Sequence, residues 1–210
     1  MNSVYFQTAF ASSAHTLKQL PMDAVAEVAF AGRSNAGKSS AINAITRKRS
    51  LARTSKTPGR TQLINHFVVE PGRYIVDLPG YGYAKVSKSQ LKHWRGTLSR
   101  FLEQRDTLRC LVIVMDIRHP LTDTDWQMIE LQQRGAAELH LLLTKADKLS
   151  RNQQQQTLQS ASKQLTEAGV EATLQTFSAL KEQGVDDAHE VLDAYLFDHR
   201  LQIPDSPDPG

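Results

Sequence analysis

Gly32-Arg33-Ser34-Asn35-Ala36-Gly37-Lys38-Ser39 is the stretch on which the reading of this chain turns. The apolar run Val25 to Ala31 precedes it and reads as a buried strand, and Ser40-Ala41-Ile42-Asn43-Ala44-Ile45 follows with helical spacing. Strand, glycine-bounded loop and helix is the setting that a phosphate-binding loop requires. Gly32 and Gly37 let the backbone turn its N–H groups toward an anion, the helix amino terminus adds partial positive charge, and Lys38 reaches the β- and γ-phosphates of a nucleotide. Ser39 would place its hydroxyl on Mg²⁺.

With 210 residues, 40% of them hydrophobic, the chain can build one sizeable core, and two full domains are not expected. The single Cys110 lies in the apolar run Cys110 to Met115, so burial is expected and no disulfide framework is possible. No apolar stretch approaches the ~18 residues that span a bilayer. Met1 to Ala14 lacks a basic region followed by an apolar core, so a signal peptide is not expected. A cytoplasmic monomer with no membrane partner fits.

Net charge is +3, but thirteen of the 25 lysines and arginines fall in two segments. Arg47, Lys48, Arg49, Arg53, Lys56 and Arg60 form an acid-free group, and Lys85, Lys88, Lys92, Arg95, Arg100, Arg105 and Arg109 are interrupted only by Glu103 and Asp106. Such concentration suits an anionic partner besides the nucleotide, although a solvated positive face has the same composition.

In chain order, 1–23 reads as a polar extension packed loosely on the domain, 24–199 as the nucleotide-binding domain, and 200–210, with three prolines, as a flexible tail. Lys48 to Gln62 reads as a loop broken by Thr57-Pro58-Gly59. Leu63 to Val69 and Arg73 to Asp77 flank the turn Glu70-Pro71-Gly72 and predict an antiparallel hairpin. A helix follows from about Ser89 to Arg105. Beyond it, strands (Cys110 to Asp116, Glu138 to Thr144, Glu171 to Phe177) alternate with helices (Thr122 to Arg134, Ser150 to Ala168, Asp186 to Phe197). The fold class is therefore α/β: three layers, a mostly parallel six-stranded sheet with one antiparallel edge strand, and helices on both faces. Ligands in such folds bind at the carboxyl ends of the strands.

Three further motifs fall at such ends. Asp77, in Asp77-Leu78-Pro79-Gly80, can hold Mg²⁺ through a water, and the Gly80 N–H can approach a γ-phosphate. By itself D-x-x-G marks an ordinary turn, and the phosphate loop one hairpin earlier gives it weight. Thr61 can close over the metal when a γ-phosphate is present and release it afterwards. In Thr144-Lys145-Ala146-Asp147 the carboxylate can accept two N–H groups that guanine offers and adenine lacks, while the Lys145 stem lies on the base. In Ser178-Ala179-Leu180 a backbone N–H can meet the guanine O6.

The ordered set GRSNAGKS, loop threonine, DLPG, TKAD and SAL resembles the translation-factor-like P-loop GTPases over about 24–198. FAGRSNAGKSS, SKTPGRTQLIN and VDLPGYGYAKV look like the EngB/YihA/YsxC ribosome-biogenesis GTPases. That resemblance implies a Mg²⁺-dependent bacterial GTPase acting in assembly of the large ribosomal subunit, whose loss disturbs cell division and septation. It carries the GTP/GDP site onto Gly32, Arg33, Ser34, Asn35, Ala36, Gly37, Lys38, Ser39 and Ser40, then Gly59, Arg60, Thr61, Gln62 and Leu63, then Asp77, Leu78, Pro79 and Gly80. The base end falls on Thr144, Lys145, Ala146, Asp147, Phe177, Ser178 and Ala179. Metal contacts fall to Ser39, Thr61 and Asp77, and catalysis to Lys38, Thr61, Gly80 and Asn35.

Tyr81 stands where a Ras-like enzyme carries the water-orienting glutamine, so intrinsic turnover should be slow. In related GTPases an asparagine at the place of Asn35 helps hold K⁺, which supplies the charge of an arginine finger, worth ~10³ to 10⁵ in rate. The alternative is that Asn35 bonds within its own loop. Thr144 replaces the usual asparagine, and one hydroxyl should tie the base loop to the phosphate loop less fully. Ribosomal RNA fits the basic segments, with Tyr81, Tyr83, His93 and Trp94 available to stack on bases. A GTP-gated RNA-binding module with incidental hydrolysis shares all these features, whereas a small P-loop kinase has no use for TKAD followed by SAL.

Overall fold

The computed structural model describes residues 2–52, 63–81 and 88–198, with side chains from 96 onward in the last stretch. Among these residues, seven strands form one sheet: β1 (Ala9–Ala14), β2 (Ala26–Gly32), β3 (Ile64–Glu70), β4 (Arg73–Asp77), β5 (Leu108–Asp116), β6 (Glu138–Thr144) and β7 (Thr173–Thr176). Their spatial order is β1-β3-β4-β2-β5-β6-β7. β2 pairs in parallel with β4 and β5, and β6 with β5 and β7, while β3 runs antiparallel to both β1 and β4. The helices are α1 (Lys38–Ile45), α2 (Lys88–Gln104), α3 (Asp123–Gln132), α4 (Arg151–Glu167) and α5 (Val185–Leu196).

The period-2 geometry of β5 shows how the layers form. Leu111, Ile113 and Met115 enter one core with Phe101 of α2, Met128 of α3 and Leu165 of α4. Cys110, Val112 and Val114 enter the other with Ile42 of α1 and Leu192 of α5. Both faces are thus covered, which is why β5 reads as a continuous apolar run. Fully burying each such side chain contributes roughly 1.5–3 kcal/mol. The Cys110 thiol is fully buried, and that burial raises its pKa far above the usual thiol value.

The sheet corrects two expectations. It has seven strands instead of six, and the antiparallel β3 is internal, with β1 outside it. β1 comes from the segment expected to pack loosely, and its signal is hidden for a physical reason. Its register shifts between Phe10 and Ser12, so the apolar/polar alternation is broken, and only Ala14 is buried. The same segment is tied at its start: Tyr5 stacks on His189 of α5 at 4.5 Å between ring centroids, and its hydroxyl donates to Asp193 at 2.7 Å. The tail 200–210 lies outside the described residues.

At the amino-terminal end of β2, Glu27 is fully buried. Arg105 grips it at 2.6 and 3.1 Å, the Thr107 hydroxyl donates at 2.6 Å, and the His66 ring is 3.3 Å away. Burial alone would raise the Glu27 pKa, but His66, Arg105 and Thr107 together outweigh it and hold the carboxyl below its ordinary value. A lowered folded pKa means that the group stabilises the fold above the unfolded value of 4.5 and that this contribution fades as pH falls through the folded value. Glu27→Gln should therefore cost about 3–5 kcal/mol at neutral pH, because Arg105 loses its partner. Its urea-denaturation curve should also depend less on pH on the acid side than that of the unaltered chain, and a parallel pH dependence would refute the assignment.

Candidate functional site

β2 ends at Gly32, and the following turn passes through left-handed backbone at Asn35 (φ +63°) and Gly37 (φ +99°), where α1 begins. Both glycines also permit close approach. A Cβ at Gly32 would lie 2.9 Å from the Val114 carbonyl oxygen, and one at Gly37 would lie 3.2 Å from the Thr144 hydroxyl. The first-turn N–H groups of α1 lack intrahelical partners and form an anion cradle. Lys38 starts the helix and its ammonium pairs with the carboxylate of Asp77 at the end of β4. Ser39 and Ser40 follow on the same turn, and Ala36 is buried beneath it.

The strand end runs directly into the loop. Leu78 is buried and its N–H donates to the Phe30 carbonyl at 3.0 Å; Pro79 and Gly80 follow, half-buried. The Tyr81 N–H donates to Gly32 at 3.2 Å, and the Tyr81 carbonyl accepts from the Ser34 N–H at 3.3 Å. The Tyr81 ring itself is buried, so its expected role in stacking on RNA bases does not hold. Leu63 lies half-buried just before β3. Gly59, Arg60, Thr61 and Gln62 lie outside the described residues, as does Tyr83, and of His93 and Trp94 only the place in α2 is described.

The base end is assembled by β6 and by the segment after β7. The Thr144 hydroxyl donates to the carbonyl of Ala36 and lies 3.0 Å from that of Met115. The threonine thus ties the base loop to the phosphate loop through its single hydroxyl. Lys145 adopts a left-handed φ of +60° and extends along the loop, donating to the Asn35 carbonyl at 2.7 Å and to Asp116 at 2.9 Å. Asp147 accepts from the Ser178 hydroxyl at 2.6 Å and lies 3.1 Å from the Lys148 ammonium; these two groups hold its carboxyl below the usual range. The Ala146 N–H donates to the Phe177 carbonyl at 3.0 Å and the Phe177 N–H to Leu143 at 2.8 Å, which fixes Ser178 and Ala179 beside Asp147.

One residue of this end was missed. Asp116 closes β5, takes Arg118 at 2.6 and 2.9 Å together with Lys145, and the Arg118 guanidinium keeps it ionised, well below the ordinary carboxylate pKa. An aspartate ending an apolar strand beside the one that carries TKAD was the available signal. The second basic segment is smaller than its composition suggests. Arg105 is spent on Glu27, and Arg109 donates to the Val25 carbonyl at 3.3 Å, at the opposite end of the sheet from the phosphate loop. Arg47, by contrast, is exposed and lies over the Phe6 ring at 4.7 Å.

Comparison with known proteins gives a consistent picture. Residues 27–145 match the family model described as 50S ribosome-binding GTPase. A probable GTP-binding protein EngB from Xanthomonas euvesicatoria pv. vesicatoria (strain 85-10) is 52% identical over 197 residues, covering 93% of this chain and 95% of the relative. Among solved structures, a probable GTP-binding protein engB superposes with a TM-score of 0.64 at 21% identity, over 80% of this chain and 100% of that one. Era in complex with MgGDPNP and nucleotides 1506–1542 of 16S ribosomal RNA superposes with a TM-score of 0.61 at 17% identity, over 88% of this chain and 60% of that one. At these identities the two structures show the shared P-loop GTPase fold.

Proposed function

The chain belongs to the EngB family of GTP-binding proteins and is a P-loop GTPase, and on that premise we propose that it is a Mg²⁺-dependent, nucleotide-gated factor in assembly of the bacterial large ribosomal subunit. One observation carries the site assignment. Thr144 and Lys145 bind the carbonyls of Ala36 and Asn35, so the phosphate loop and the base loop form one cleft with Lys38 and Asp77 at one end and Asp147 and Ser178 at the other.

In this reading Lys38 exchanges the Asp77 carboxylate for phosphate oxygens when a triphosphate enters. The Ser39 hydroxyl and the Asp77 carboxylate are hard oxygen donors of the kind that suit Mg²⁺, and the Thr61 hydroxyl is the third donor we assign to it. When bound, the metal neutralises charge on the β- and γ-phosphates. The Gly80 N–H donates to the γ-phosphate, so its loss on hydrolysis releases the two neighbouring loops. Tyr81 cannot orient water as a glutamine does, and intrinsic hydrolysis is accordingly slow. K⁺ held near the exposed Asn35 would supply some of the missing charge; equal turnover in K⁺ and Na⁺ at saturating GTP excludes this part. Arg47, Lys48 and Arg49, at the end of α1, contribute to a face for ribosomal RNA, and failure of subunit assembly would disturb division and septation.

Two experiments test the core of the proposal. Asp147→Asn replaces an acceptor with a carboxamide N–H, so GTP affinity should fall by about a hundredfold or more while xanthosine triphosphate binds better. An unchanged preference for guanine removes Asp147 from the base site. At matched salt, the chain should co-sediment with large ribosomal subunits more strongly in a non-hydrolysable GTP analogue than in GDP; equal recovery counts against the gating.

A further inference from the structure

Asp125, in the first turn of α3, is fully buried and gathers three parts of the chain. Its Oδ2 accepts from the Thr122 N–H at 3.0 Å and the Thr122 hydroxyl at 2.7 Å, which completes the helix cap. Its Oδ1 accepts the Tyr81 hydroxyl, 44 residues away in sequence, at 2.9 Å and lies 3.3 Å from Nε of Arg33 in the phosphate loop. Arg33 also donates through Nη2 to the His119 carbonyl at 3.1 Å.

A cap needs one acceptor oxygen, and burying a full carboxylate for that purpose alone is costly. The second oxygen has different work. Tyr81 is already stitched to the phosphate loop through its N–H and carbonyl, and the bond to Asp125 is its third attachment. Gly80 is therefore joined directly to a residue pinned on three sides. We propose that Asp125 is a positioning residue for GTP hydrolysis, holding the Tyr81 hydroxyl and Arg33 so that the Gly80 peptide stands ready against the phosphate loop.

This rests on the reading of Gly80 as a γ-phosphate donor. Donors fixed before the reaction act without reorganising during it, which is where a second-layer contact gains its influence on rate. Burial, reinforced by the Asp125 carboxylate, keeps the Tyr81 phenol protonated far above its ordinary pKa, so it remains a donor across physiological pH. An asparagine would alter this arrangement: with its oxygen in the α3 cap, its NH₂ would face the Tyr81 hydroxyl, which would then accept instead of donate, and Arg33 would lose the carboxylate.

Tyr81→Phe keeps the ring and removes the hydroxyl. In single-turnover hydrolysis at saturating GTP it should slow the rate about tenfold and narrow the preference for a GTP analogue over GDP, with GDP affinity within about twofold of the unaltered chain. Asp125→Asn should repeat this pattern with a lowered melting temperature. If either variant instead weakens GDP and GTP alike and hydrolyses bound GTP at the original rate, Asp125 is only structural and the proposal is overturned. Gly80→Pro, which removes the N–H itself, separates the Gly80 reading from this inference. An original rate and preference in that variant sink both together, whereas a slow Gly80→Pro beside a fast Tyr81→Phe sinks the inference alone.

Discussion

Two side chains from one strand end, Thr144 and Lys145, grip two consecutive carbonyls of the phosphate loop, those of Ala36 and Asn35. The partners are 108 and 110 residues apart in sequence, so no local propensity could bring them together. The parallel register does so: β5 lies between β2 and β6, with Gly32 opposite Val114 and Asp116 opposite Thr144. Glycine at 32 is needed because its Cβ position meets the Val114 backbone, and at 37 because its Cβ position meets the Thr144 hydroxyl. That stacking of three strand ends sets the middle of the cleft, and β4 and the segment after β7 add Asp77 and Ser178 at its two ends.

The parts of the molecule that repeat a strong local signal were legible from the residues alone. β5 and β6 were marked by unbroken apolar runs, and the phosphate loop by its glycines and lysine. What escaped were features whose meaning lies in a distant partner. β1 is a strand because β3 offers it an edge, and a bulge hides its alternation. Arg105 reads as part of a basic face, yet it is half-buried against a carboxylate that looks like an ordinary strand residue. Tyr81, in a glycine-rich run, reads as exposed, yet its ring joins the core and its hydroxyl reaches Asp125.

Charge is thus placed at both ends of the sheet for different reasons. At the amino-terminal end, Glu27, Arg105 and Thr107 satisfy one another inside the protein, and their pairing fastens the chain after α2 to β2. At the carboxyl end, Lys38 pairs with Asp77, and in the proposed function that pair opens when a triphosphate enters. The first arrangement gains from permanence, and the second from exchange.

The one thiol in the chain is sealed within a hydrophobic layer and raised in pKa by that enclosure. Maleimides and alkylating probes attack thiolates, so the native fold presents them with almost no target. A cysteine introduced at an outward position such as Leu180, which is 73% exposed beside the base loop, would then be the single reactive handle for a fluorophore or spin label. The loop's movements could be followed without first stripping a background residue from the protein.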